Sequence, residues 1–342
     1  MLALASVLFF HCYRPFMGSG SFWKVTIDST VSGLEYLYHF NKVFDVHCLF
    51  FCSGFLYFMT MSAGNRTVWE QLVRRVKRIV VPYLSVGLLF TVPLYLSFHL
   101  PSGLLTSDAS WLDGYRLFIT MYFSDHLWFL QIMLVITVIC LLLNGMIRNY
   151  FWLLLAGSFL LTFGFNRWLS DIRFMSLCSM SDNLFLFVLG GAAFRCNELF
   201  VSFKNLIILA VSGILFLISY NLPVDNAVAR EVLSIVTDGS VCVCALALFK
   251  LFADRVVPVL FQFRAIQYFD KNFMGFYMYH MPFPLICATL LYGPFHQVIP
   301  SDWLYIVTAW LITIALTAVS VKVASLIRAQ CTKVRLISRL YN

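Results

Sequence analysis

Four histidines stand within or beside the apolar runs of this chain: His11, His47, His126 and His280. Imidazole is the side chain best suited to proton transfer near neutral pH. An ionisable group at the centre of a membrane span costs roughly 2–3 kcal/mol or more, so such residues mark function by default. The competing reading is a neutral ring bonded to a backbone carbonyl between helices. A second set is cationic. Arg75 and Arg78 are three residues apart, so on a helix they share one face. Two guanidiniums side by side suit bidentate contact with phosphates. A phosphate-rich cytoplasmic cosubstrate and anionic lipid headgroups both fit. The preference for basic residues on the cytoplasmic side explains the charge of the expected inside loop, 65–83, but not this spacing. Ser53-Gly54, inside Phe50–Leu56, either lets two helices approach closely or leaves room for a ligand chain. Trp128, in Leu127–Leu130, stands where an interfacial anchor is usual, or it lines a pocket. Pro282 follows His280 by two residues, and a proline inside a span frees a backbone carbonyl, which marks a kink or a cavity.

The elements that must position these residues are helices in a membrane. Of 342 residues, 61% are hydrophobic and only 12% charged, about half the ~25% of an ordinary soluble domain. Mean hydropathy is +0.84. That much apolar side chain excludes a soluble enzyme, a disordered chain or a fibrous repeat. The apolar segments are unbroken runs without alternation, which argues against a transmembrane β-barrel. The expected fold is all-α and polytopic, with about ten spans: 1–13, 44–63, 80–98, 127–143, 151–165, 182–196, 205–221, 232–252, 273–292 and 303–327. No internal repeat is visible, and one membrane domain over 1–342 is the economical reading. Lys and Arg concentrate in the segments that are inside when both termini are cytoplasmic. The net charge of +8 therefore suits an anionic membrane surface, and nucleic acid is not an expected partner. The ten Cys lack zinc spacing, so no metal site is expected. The first apolar run is short, because Arg14 and Pro15 follow it. It has no basic segment or convincing cleavage site of a signal peptide. The expectation is a first helix with a truncated N-terminal end, and a basic cytoplasmic tail over 329–342.

Taken in order, these strings resemble acyltransferase family 3, the membrane O-acyltransferases that include O-antigen and Nod-factor acetyltransferases. The resemblance covers most of the chain. It rests on Phe9-Phe10-His11, on Phe50–Leu56 with its Ser53-Gly54, and on Arg75-x-x-Arg78 followed by Pro82-Tyr83. Leu127-Trp128-Phe129-Leu130 and Tyr277-x-x-His280 complete it. It implies transfer of an acyl group, acetyl above all, from cytoplasmic acyl-CoA to a hydroxyl of a cell-surface glycan or lipid-linked sugar. His11 would be the catalytic residue, and Arg75 and Arg78 would bind acyl-CoA. His47, Ser53, Trp128 and His280 would belong to the pocket or to proton transfer. Acetyl-CoA would be a donor substrate, with no tightly bound cofactor, and membrane lipids would be the remaining partners. The setting implied is a bacterial inner membrane.

The chemistry agrees independently: an alcohol must lose its proton as it attacks a thioester, and imidazole can take that proton or carry the acyl group. One departure stands out. The family pattern places Arg or Lys eleven residues before the histidine, a position that here precedes Met1. Two other readings remain open. One is a transporter or flippase of lipid-linked saccharides with histidines in a proton relay. The other is a non-catalytic, degenerate acyltransferase.

Overall fold

The computed structural model describes residues 1–17, 26–27, 29, 31–62, 67–98, 110–121, 125–169, 172 and 174–331. Arg66 and most of the expected basic tail, 332–342, lie outside the described residues. Among the described residues, 89% are helical and none is in a strand. The helices are α1 (Leu2–Tyr13), α2 (Leu34–Ser62), α3 (Val68–Val86), α4 (Val92–Ser97), α5 (Trp111–Ile119), α6 (Trp128–Leu142), α7 (Asn144–Leu169) and α8 (Met180–Arg195). Then follow α9 (Ser202–Asn221), α10 (Ala227–Leu260), α11 (Arg264–Lys271), α12 (Phe273–Tyr279), α13 (Phe283–Ile286), α14 (Tyr292–Val298) and α15 (Asp302–Cys331). Among the described residues six helical stretches are long and apolar enough to cross a membrane: Phe44–Ser62, Val68–Ser97, Phe174–Arg195, Phe203–Asn221, Ala227–Leu260 and Asp302–Gln330. Leu2–Met17, Trp128–Leu142 and Asn149–Thr162 are shorter apolar helices. The protein is an all-α polytopic membrane protein.

Two segments differ from the sequence expectation. The basic stretch before Pro82 is read as a loop from sequence, but it is helical and continuous with the third span. α3 runs through Pro82, and a π-helical turn, Gly87–Thr91, joins it to α4. Proline inside a helix removes one N–H and leaves the carbonyl four residues back, that of Arg78, without its helical donor. The ninth expected span is broken. α12 stops at Tyr279, and the chain resumes as α13, a π-helical turn over Cys287–Leu291, and α14.

The chain divides into two compact units. The first comprises Met1–Tyr38, Arg74–Leu130 and Tyr268–Asn342. Its core packs α1 against α15 and the segment before α14: Cys12, Tyr13 and Phe16 meet Cys287, Tyr305, Ile306 and Ala309. Cys12 Sγ lies 3.6 Å from Thr313 Oγ1. At the head of α15, Asp302 accepts hydrogen bonds from the hydroxyls of Ser29 and Tyr292, the latter at 2.9 Å. α5 docks through Phe118, whose ring stacks on Tyr83 at 4.7 Å and fills the space left by Gly87.

The second unit comprises His39–Val73 and Gln131–Gln267. There α2 and α8 touch backbone to backbone. A Cβ at Gly54 would overlap the carbonyl of Phe187, and one at Gly190 would overlap the carbonyl of Phe51. Small residues let membrane helices approach this closely. The Ser53-Gly54 string is thus used here for helix packing. α9 and α10 are tied by Asn205 Nδ2 donating to the Ala247 carbonyl at 3.0 Å and Thr237 donating to Ser219 at 2.8 Å.

Gly190→Val should separate α2 from α8 at a cost of roughly 1–3 kcal/mol or more, the usual range for overpacking. Gly213, with open space around its Cβ position, should accept Ala without loss. Thermal unfolding in detergent would compare the two. Equal melting temperatures for Gly190→Val and wild type would contradict the close contact.

Candidate active site

Three of the four histidines meet in the first unit. His280 is fully buried. Its ring centroid is 5.2 Å from that of His11 and 5.0 Å from that of His126. His11 stands on the last turn of α1 and is half-buried. His126 is buried in the short 3-10 turn before α6.

The break at Pro282 explains this gathering. A helix end leaves its last carbonyls without donors. In a continued helix the Met278 carbonyl would accept from residue 282, but Pro282 has no N–H. His126 Nε2 takes that carbonyl instead, at 2.9 Å. His280 Nδ1 takes the next one back, that of Tyr277, at 2.7 Å. A carbonyl only accepts, so each bonded nitrogen carries the hydrogen. In its neutral form His280 is therefore an Nδ1–H tautomer with its lone pair on Nε2. Nε2 is buried and has no hydrogen-bond partner among the described residues. The Tyr277 hydroxyl donates to the His126 carbonyl, which closes the clamp from the other side. Phe129 packs edge-on against Tyr277 at 5.3 Å, and Leu127 and Leu130 are buried beside it. Trp128, in the same string, is half-buried at the start of α6.

Arg75 and Arg78 lie on α3 in the same unit, Arg75 partly buried and Arg78 exposed. Twelve residues further on, Phe90 packs against Tyr279 at 4.9 Å and Phe283 at 5.9 Å, on either side of the His280 break. At 1.5 Å per residue the guanidinium end is roughly 18 Å along the axis from the level of the histidines. One continuous helical stretch thus links the two sets.

His47 and Ser53 belong to the second unit, on α2. His47 Nδ1 is 3.4 Å from Asp238 Oδ1 of α10. Ser53 is half-buried next to the Gly54 contact. His11 and His280 are therefore brought together, as are Arg75 and Arg78, whereas His47 makes a separate pair. The sequence marks His126 beside a span and Tyr277 within a motif string, but it gives neither a role in the site. Their signal is Pro282, four residues after Met278: it announces a carbonyl in need of a donor, though not which side chain supplies it. Among the described residues no group of three or more His, Cys, Asp or Glu side chains could hold a metal ion.

A family model for an acyltransferase domain matches residues 1–328. The chain belongs to acyltransferase family 3. The match covers both units and every histidine of the cluster. No curated protein and no solved structure matches the chain.

His126→Ala should leave the buried Met278 carbonyl without a donor and cost roughly 1–3 kcal/mol. His126→Gln, which keeps an N–H donor, should recover part of that. The check is thermal unfolding of the three proteins. A His126→Ala protein as stable as wild type would remove the clamp from this account.

Proposed function

We propose that this acyltransferase moves an acyl group, acetyl first among them, from acyl-CoA to a hydroxyl of a cell-surface glycan or lipid-linked sugar. The observation that carries the reading is the meeting of His11, His280 and His126 in one unit. That unit also holds the Arg75–Arg78 pair, and one helical stretch joins the two sets.

In this reading Arg75 and Arg78 hold the phosphates of CoA by charge-assisted hydrogen bonds. The thioester end of the long pantetheine arm extends along α3 toward the histidines. His11 accepts the proton of the acceptor hydroxyl as its oxygen attacks the thioester carbonyl carbon. The C–O bond forms, the C–S bond breaks, and the proton passes to the departing thiolate. The balance is acyl-S-CoA and alcohol in, ester and free CoA thiol out. His280 acts on His11: its Nε2 lone pair is turned away from Tyr277, and the imidazolium formed on His11 is stabilised by a neutral neighbour whose tautomer is fixed. A preset arrangement of this kind contributes without rearranging at the moment of reaction. Trp128, in the same unit as the histidines, lines the acceptor side. Both termini are cytoplasmic, in the inner membrane of a bacterium, and acetyl-CoA is a passing substrate.

The test uses membranes holding the full chain, radiolabelled acetyl-CoA and extracted glycan or lipid-linked sugar. His11→Ala should lower transfer by about 10²–10⁴-fold, the range for loss of a general base. Arg75→Ala and Arg78→Ala should each raise KM for acetyl-CoA roughly tenfold or more, with a smaller effect on kcat. Transfer that survives in His11→Ala at the wild-type rate would sink the base role. A kcat effect with unchanged KM in both arginine variants would remove them from donor binding.

A further inference from the structure

Arg14 forms the C-cap of α1, one turn beyond His11. Its guanidinium lies over the ring of Phe10 at 5.5 Å and over that of Tyr38 at 4.9 Å. Those two rings are stacked at 6.0 Å with 28° between their planes, and Phe10 packs against His11 at 5.3 Å. Two aromatic rings thus flank the cation. Among the described residues no Asp or Glu pairs with it. Its Nε is buried without a hydrogen-bond partner.

This arrangement is incomplete in a specific way. Aromatic rings meet a guanidinium through its face, whereas its N–H donors point outward in its plane. Stacking stabilises the charge but satisfies none of those donors. The negative end of α1 favours a cation at this position, yet it supplies no acceptor for Nε. A guanidinium held beside two aromatic rings with a buried, unpartnered Nε is pre-organised for an oxyanion that accepts from that nitrogen. The clamp also reduces the side-chain freedom that binding would otherwise remove.

We propose that Arg14 binds a phosphate ester on the acceptor and thereby sets the acceptor's hydroxyl at His11, one turn away. This deepens the function proposed above and rests on His11 being the base. It makes Arg14 a determinant of acceptor choice: phosphate-bearing sugars are taken in preference to neutral ones. A phosphate can also come from a lipid headgroup, so the experiment must separate the two sources.

The test is a binding measurement that needs no acyl donor. The full chain, purified in a neutral detergent, is photolabelled with a diazirine-bearing decyl glucosyl phosphate or with the matching neutral decyl glucoside. The phosphate probe should bind wild type roughly 10–100-fold more tightly, the range for a charge-assisted hydrogen bond to phosphate. Arg14→Gln should lose that preference and leave neutral-probe binding unchanged. Arg14→Lys should restore part of it, and Tyr38→Leu should weaken it. His11→Ala should retain the preference, which separates this inference from the catalytic one. A wild-type preference accompanied by no acyl transfer would leave the Arg14 site standing and remove the proposed reaction. Equal binding of the two probes to wild type, or an undiminished preference in Arg14→Gln, would overturn the proposal. So would displacement of the phosphate probe by phosphatidylglycerol as effectively as by unlabelled decyl glucosyl phosphate, since the site would then be one for lipid headgroups.

Discussion

The missing N–H of Pro282 is the constraint on which the candidate site depends. In a membrane, no water is at hand to satisfy a carbonyl that a broken helix leaves behind. The two carbonyls exposed at the end of α12 must therefore be met by side chains, and His126 and His280 meet them. Each bond fixes a ring in place and also fixes which nitrogen keeps its lone pair. The same geometry that repairs a defect in the helix leaves a buried Nε2 without a partner among the described residues, on a ring whose centroid is 5.2 Å from that of His11. Satisfying the backbone is what orients the imidazole.

α3 contributes reach. Its amphipathic first half carries the basic pair, and its second half enters the apolar part of the first unit through Tyr83 and Val86, followed by Phe90 of the π-helical turn. Pro82 could have ended it. Instead the helix continues, with Ser85 donating to the carbonyls of Val81 and Pro82. A rigid element linking a polar end to a buried end suits a ligand with a charged head and a long, thin, reactive tail. The Gly54 and Gly190 contacts do the opposite in the second unit: they remove space, so that α2 and α8 meet without side chains between them.

Much of this was legible in the sequence. Composition and unbroken apolar runs specify a helical membrane protein; among the described residues six helical stretches are long and apolar enough to cross a membrane, against the ten spans expected. The i, i+3 spacing of Arg75 and Arg78 was also within reach, and His11 and His280 each stood out singly, though not as neighbours. Two kinds of information were not. A proline in a basic stretch reads as a boundary, because local preference says nothing about a helix held on both sides by tertiary packing; hence the expected loop before Pro82. Side-chain repair of a helix end joins residues far apart in sequence: His126 and Met278 are separated by 152 positions. No local pattern encodes that partnership. His47 shows the converse case. It looks like a member of the same histidine set, yet its partner is a carboxylate on α10.

The packing of α1 has a consequence for how the protein is made. Cys12 and Tyr13, next to His11, are covered by Tyr305, Ile306 and Ala309 of the last helix. Chains emerge N-terminus first, so at ~5–20 residues per second the roughly 290 residues between α1 and α15 take about 15–60 s to synthesise. Throughout that interval the helix bearing His11 is in the membrane without its permanent neighbour. A nascent chain therefore holds His11 unassembled until translation is nearly over, and the order of synthesis itself sets when the histidine cluster can form.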